Sequence, residues 1–316
     1  MTNHPFRVRR PDIRRFLVLS LSSWVVVGVS GCSDPEIYLR TPCAGCDAAL
    51  YIEEWDVFPQ GPDVFGSMQQ ATMCLPNNDG VIDGSEMPVV IGAVVSLRAN
   101  PPGVHQVVVP AGRQEGNRWV WDFSAVDDGE VTTRIKVHAI EGTWFAPHFP
   151  DATNAAAVSV HEPDVLGIYR AGEGEVALLG LASAQADPPG GRTLLVYDQP
   201  LMLFRFPLYP GKTWSQTVTF RDALLKGVKN AGREEYLFAV DGAGEVRLPQ
   251  FSVANALRFR MRVRQTFVVG HGESSVQSIY YLWLSECLGE VARMVSLPHE
   301  TDPNFGLARE VRRMGL

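Results

Sequence analysis

The sequence predicts an all-β protein, and three observations carry that expectation. Apolar and polar residues alternate with period two over long stretches, turn-forming clusters fall between these stretches, and amphipathic helical patterns are almost absent. The clearest stretch is Leu257-Arg258-Phe259-Arg260-Met261-Arg262-Val263-Arg264, with apolar residues on one face and four arginines on the other. Period-two alternation marks strands with one buried and one wet face, the habit of antiparallel sheets.

In chain order, residues 1–31 read as a cleaved secretory signal. Five arginines (Arg7, Arg9, Arg10, Arg14, Arg15) precede an apolar run from Phe16 to Val29 and a small-residue cleavage region. The run is shorter than the ~20 residues of a membrane span. No later apolar run is long enough to cross a bilayer as a helix. Residues 32–48 form a tether, 49–155 an N-terminal β domain of sandwich type, and 156–316 a second antiparallel β domain.

In the N-terminal domain, Trp119, Trp121 and Phe123 alternate with Val120 and Asp122. Val131, Thr133, Ile135, Val137 and Ala139 alternate with polar neighbours. Turns are expected at residues 100–103, 110–112 and 127–129, which are rich in Pro, Gly and Asp. In the second domain, strands are expected at 165–170, 175–181, 192–197, 201–206, 213–220, 235–241, 244–248, 256–268, 276–286 and 290–296. Short helices are expected at Arg221–Lys229 and Ala308–Met314. The Ala-rich, Pro-containing stretch 152–164 reads as the boundary between domains.

Charge excludes one class of function. Removing five of 28 basic and one of 35 acidic residues with the signal leaves 23 against 34, a formal charge of −11. A nucleic-acid binder draws most of its affinity from a basic face, so no nucleic-acid partner is expected.

The tetrapeptide Val29-Ser30-Gly31-Cys32 resembles the lipobox of bacterial lipoproteins. That resemblance implies cleavage before Cys32, acylation of its thiol and amine, and a membrane anchor made of lipid. Ser33, next in the chain, implies sorting to the outer membrane. The remaining cysteines are Cys43, Cys46, Cys74 and Cys287, an even number in an exported chain, which favours disulfides. Three pairings are open. If two bridges form, Cys287 ties the end of the chain to one of the other three.

Three segments of the second domain carry a further resemblance. Tyr197-Asp-Gln-Pro-Leu-Met-Leu-Phe-Arg-Phe-Pro-Leu-Tyr-Pro-Gly-Lys-Thr-Trp214 is similar to the opening of TapB-like bacterial envelope domains. So are Gly244-Glu-Val-Arg-Leu-Pro-Gln-Phe251 with Ala256-Leu-Arg-Phe-Arg260, and Tyr280-Tyr-Leu-Trp-Leu-Ser-Glu-Cys-Leu-Gly-Glu-Val-Ala-Arg293. Pro249-Gln250 stands where that family often has an Ala-Gly-Thr turn. The resemblance implies an open, curved antiparallel sheet of half-barrel type and no chemistry, since fold does not fix function.

Candidate sites follow from particular spacings. Residues 75–86 read as most of an EF-hand loop: Asn77, Asp79, the Val81 carbonyl, Asp83 and Glu86 fall at ligand positions, with Gly80 at the sharp turn. Leu75 takes the place of the first carboxylate, and Met87-Pro88 interrupts the helix that should follow. A weakened Ca2+ site is the expectation, against a plain double turn of Asn and Asp chemistry.

Cys43-Ala-Gly-Cys46 has the spacing of a thiol redox pair but lacks the βαβ setting of one, so structural cross-links are expected. Gly211-Lys212-Thr213 lacks the rest of a phosphate loop. His148, Asp151, His161 and Glu162 match no standard metal-ligand spacing. The arginine row is expected to be answered by acidic neighbours, because like charges on one strand face repel.

The function these readings support is a non-catalytic binding or assembly module on the envelope, holding a lipid or a protein partner. Its ligand face would include Leu257, Phe259, Met261, Val263, Tyr280 and Leu282, unless these simply pack the domain's own core. The rival classes are an envelope enzyme and a calcium-stabilised structural surface protein. The enzyme would be a thiol oxidoreductase using Cys43 and Cys46, or a hydrolase without a familiar motif.

Overall fold

The computed structural model describes residues 74–269 and 272–315. The strands are β1 (Val94–Ala99), β2 (Gln106–Val107), β3 (Arg113–Glu115), β4 (Arg118–Asp122), β5 (Val131–Lys136), β6 (Asn154–Ala157), β7 (Val165–Ala171), β8 (Glu175–Ser183), β9 (Leu194–Arg205) and β10 (Thr213–Leu225). They continue as β11 (Val228–Arg247), β12 (Ser252–Val269), β13 (Gly272–Ser285), β14 (Gly289–Ser296) and β15 (Leu307–Met314). Helical structure among the described residues is limited to two 3-10 turns, Gly84–Glu86 and Ala146–His148. The expected all-β class is what the chain adopts.

All fifteen strands belong to one sheet, in the order β5-β1-β15-β14-β13-β12-β11-β10-β9-β8-β7-β6, with β2 beside β15, β4 beside β11 and β3 beside β4. From β6 to β15 it is built of successive antiparallel neighbours, as the regular spacing of turns predicts. Its two ends meet: His138, just after β5, gives its N–H to Ala155 of β6 at 2.7 Å and receives that residue's N–H at 3.0 Å. The sheet is therefore nearly closed, which leaves few unpaired edges. The expected boundary at residues 155/156 falls inside β6, and strands from both sides of it interleave in this one sheet.

Two expected helices are strands. Arg221–Lys229 is a hairpin, in which Lys226 (φ 50°) and Gly227 (φ 79°) form the turn and Leu225 pairs with Val228. Positive φ at both central residues suits the right-handed twist of a hairpin, and glycine reaches it without strain. Ala308–Met314 is β15, held between β14 on one edge and β1 and β2 on the other. It is covered on both faces, so Ala308, Glu310, Val311, Arg312 and Arg313 are all buried and the alternation of a half-wet strand is lost.

The aromatic alternation in β4 is also displaced. Trp119 is 44% exposed, whereas Val120 and Trp121 are both buried. β4 runs parallel to β11 at its border, with Trp119 against Gly244. A Cβ on Gly244 would lie 2.3 Å from the Trp119 carbonyl oxygen, so this approach requires glycine.

The two faces of the sheet have separate cores. One contains Leu195, Phe220, Phe238, Leu257, Phe259 and Leu282, closed by Ile82 and Leu208. The other contains Trp121, Phe123, Ile279, Tyr281, Trp283 and Met294, under loops from the first half of the chain. Ile82 and Leu208 lock the 74–88 segment on by exchanging backbone hydrogen bonds of 2.9 and 2.8 Å.

Candidate functional site

The six residues expected to face a ligand do share one face. Leu257, Phe259 and Val263 of β12 and Leu282 of β13 are buried there, with Met261 and Tyr280 half-buried against them. The space in front of them is filled by the protein's own side chains. Trp214 and Phe204 lie against Phe259 with ring centroids 5.6 and 5.1 Å apart. This face is core rather than an open ligand surface.

The same interior holds buried polar groups that the sequence reading did not single out. The Glu234 carboxylate, 2% exposed, accepts hydrogen bonds from the Tyr197 and Tyr236 hydroxyls, both at 2.5 Å, and from the Gln265 amide at 2.7 Å. Burial, reinforced by the Glu234 charge, pushes both phenols well above their usual range. They stay protonated and act as donors, so the carboxylate is satisfied without a cation.

On β14 and β15, Glu290 bridges Arg293 and Arg312, and Glu310 accepts from Ser159 at 2.5 Å. Arg293 also donates to the Val158 carbonyl at 3.0 Å, tying this cluster to the segment after β6. Arg293 spends all three of its nitrogens on protein acceptors, while the buried Arg312 Nη1 and Glu310 Oε1 face each other at 3.4 Å as an ion pair without a hydrogen bond.

Three of the four arginines in the row have an acidic neighbour, whereas the Nε of Arg262 is buried without a hydrogen-bond partner. Arg258 and Arg260 both reach Asp241, at 2.7 and 3.2 Å, and Arg264 lies 3.9 Å from Glu235. Arg258 is further held between the Trp121 and Tyr281 rings, 5.4 and 5.0 Å from their centroids. Lys212 donates to the carbonyls of Arg205 and Pro207, so it is occupied in the turn. Glu162 pairs with Lys226 at 2.8 Å, and the His161 ring contacts the Asn100 carbonyl at 2.7 Å.

The calcium-like loop uses its oxygens locally. Asn77 accepts the Asp79 N–H at 2.9 Å, Asp79 accepts the Val81 N–H at 2.8 Å, and the buried Glu86 accepts the Asp83 N–H at 2.9 Å. The first two are turn bonds of Asn and Asp side chains to backbone two residues on, and the third is the capping bond of the Gly84–Glu86 turn. Among the described residues no group of three or more His, Cys, Asp or Glu side chains is placed to hold a metal ion. Millimolar calcium is therefore expected to leave the melting temperature unchanged. Thermal scans with calcium and with chelator check this, and a rise with calcium that Asp79→Ala abolishes would reinstate the site.

Cys74 is bonded to Cys287, with Cα atoms 5.5 Å apart. Of the three candidate partners of Cys287, this selects Cys74. Those two cysteines, the lipidation candidate Cys32 and the signal lie outside the described residues.

The structure adds a cavity that sequence patterns did not indicate. It has a volume of about 390 Å³ and lies between β2 and the end of β4. Trp121, Phe123, Met294 and Val311 supply apolar walls, and Val107 and Val109 stand at its β2 side. Arg113 binds Asp122 at 3.1 Å, and Arg313 binds Glu130 at 2.6 Å and the Ala125 carbonyl at 2.8 Å, while Gln106 Oε1 and Arg313 Nε are buried without a hydrogen-bond partner. Ser124 and Arg113 hold the Asp122 carboxyl below its ordinary range. The volume falls within the range of small-ligand sites.

No family model, curated protein or solved structure matches this chain.

Proposed function

We propose that this protein is a lipid-anchored lipoprotein of a bacterial envelope, held through Cys32, and that it serves as a non-catalytic binding module. The observation that carries the binding reading is the 390 Å³ cavity between β2 and β4, with apolar walls and two buried polar atoms, Gln106 Oε1 and Arg313 Nε, that lack a partner. A site of that composition suits a small guest that is mostly apolar and carries a polar group for those atoms. The anchoring reading rests on Val29-Ser30-Gly31-Cys32 and the basic, apolar segment before it. The sheet is antiparallel over most of its width, as the TapB-like resemblance implies, but it is nearly closed and shared by both halves rather than an open half-barrel.

Native mass spectrometry of the protein extracted gently from its own envelope tests both parts. The expected spectrum shows the acyl modification of Cys32 and an additional bound mass. In the variant Ala125→Trp, which fills the cavity from its exposed rim, the acyl mass remains and the bound mass is lost. A spectrum carrying acyl groups alone in the unaltered protein removes the binding reading. An unacylated Cys32 removes the anchor.

A further inference from the structure

Two polar atoms in the lining of that cavity have no partner among the described residues. The Arg313 side chain is 3% exposed, and its two outer nitrogens are spent on Glu130 and the Ala125 carbonyl. Its Nε–H is left unused. The Oε1 atom of Gln106 is buried and likewise meets no donor. Both side chains line the cavity, and buried polar atoms without partners are few in native folds.

The register of β15 sets the two atoms apart. Gln106 pairs with Ala308, and Arg313 stands five residues further along the same strand. At about 3.3 Å per residue their backbones are on the order of 15 Å apart, a gap shortened by side chains that reach into one cavity. Val311 lies between them on β15, with Met294 opposite it on β14, and both belong to the apolar wall. The lining is thus polar, apolar and polar in turn.

Charge and size narrow the guest. Arg113 already faces Asp122 and Arg313 faces Glu130, so a charged guest would be desolvated without a counter-charge. The 390 Å³ is room for about a dozen non-hydrogen atoms, at the roughly 30 Å³ that a water molecule takes in the liquid. A two-chain lipid exceeds that volume.

We propose that the cavity binds a neutral medium-chain molecule with a polar group at each end, an acceptor for the Arg313 Nε–H and a donor for Gln106 Oε1. A hydroxyl meets either need, so a terminal diol is the simplest member of the class. The inference rests on the binding reading above and names its ligand class.

The probes are 1,8-octanediol and its isomer 1,6-dimethoxyhexane, which accepts hydrogen bonds but donates none, titrated calorimetrically into the full oxidised chain. The diol is expected to bind about tenfold more tightly, because the diether leaves Gln106 Oε1 unpaired. Gln106→Leu should erase that preference. Both probes should move the Arg313 Nε–H resonance in nitrogen-15-labelled protein, since both bring an acceptor. The dianion suberate should bind about a hundredfold more weakly than the diol, and Ala125→Trp should abolish binding of all three.

Equal affinity for diol and diether, or an unchanged preference in Gln106→Leu, overturns the donor end. An Nε–H resonance that stays in place while the diol binds overturns the acceptor end, and suberate binding at the diol's strength overturns neutrality. Diol binding that survives in Ala125→Trp lies elsewhere and overturns the proposal. If neither neutral probe binds while the native spectrum carries a bound mass, the ligand class is wrong and the binding reading stands. If that mass is absent too, both fall.

Discussion

Replacing Cys74 and Cys287 together by serine is expected to lower the unfolding free energy by about 5 kcal/mol. The bond spans 213 residues, and closing so long a loop removes a large share of the unfolded chain's entropy. The native contacts around it are not remade by the rest of the fold. Cys287 gives its N–H to the Glu86 carbonyl at 2.7 Å, and the Asn78 N–H reaches the Glu286 carboxylate at 2.8 Å. The bond thus clamps the 74–88 segment over the turn between β13 and β14, and with it Ile82 in the main core. Urea titrations of the oxidised, reduced and double-serine proteins give the value directly. The reduced form should lose at least as much as the double-serine form, since reduction also opens any bond made by Cys43 and Cys46. A loss under about 1 kcal/mol would show that the core holds this segment without the bond.

Glu290→Gln is expected to destabilise by about 3–5 kcal/mol at neutral pH, the cost of breaking a buried pair from one side. Arg293 and Arg312 are cross-strand neighbours, and Glu290 lies between them with its side chain 20% exposed. The amide keeps the shape of the carboxylate and removes its charge. Two guanidinium groups, 16% and 5% exposed, would then share the Glu310 carboxylate.

Acid should reproduce this loss in the unaltered protein. Burial raises the Glu290 carboxyl, but the two arginines outweigh burial and hold it below its ordinary value of 4.5. A carboxyl lowered on folding contributes its stability above the unfolded pKa, and loses it as pH falls through the folded one. The gap between wild type and Glu290→Gln should therefore be widest near neutrality and narrow below about pH 4.5. Chemical denaturation at a series of pH values measures it. A gap that stays constant into acid would assign the effect to packing.

Much of the fold was legible along the chain, and the failures have a common cause. β7, β8, β12, β13 and β14 coincide with segments whose alternation or apolar run marks a strand. β15 did not read as a strand because both its faces are covered, which erases the period-two signal. The hairpin at Lys226-Gly227 was hidden by helix-forming residues on either side of a two-residue turn. Trp119 read as core because local alternation says nothing about a parallel neighbour such as β11.

The candidate site was much less legible than the strands. The six apolar residues assigned to a ligand face were placed correctly on one face of the sheet. Whether such a face is open depends on what lies across from it, here Phe204 and Trp214 from other strands. Glu234 sits in a run of charged residues and looks solvated, until Tyr197 and Gln265 are seen to come from 37 and 31 residues away. The β2 cavity is assembled from β2, β4, β14 and β15, and no local pattern marks it.

By itself the sequence determined the β class, the positions of most strands, the even cysteine count and the acidic balance. These depend on side chains a few positions apart, and such distances are set by strand geometry alone. Tertiary structure decided that both halves share one sheet, that Cys287 takes Cys74, and that the apolar face is filled while a cavity opens between β2 and β4. Those outcomes depend on which distant segments meet. Local periodicity is the same whether a strand's neighbour is solvent, core or another chain.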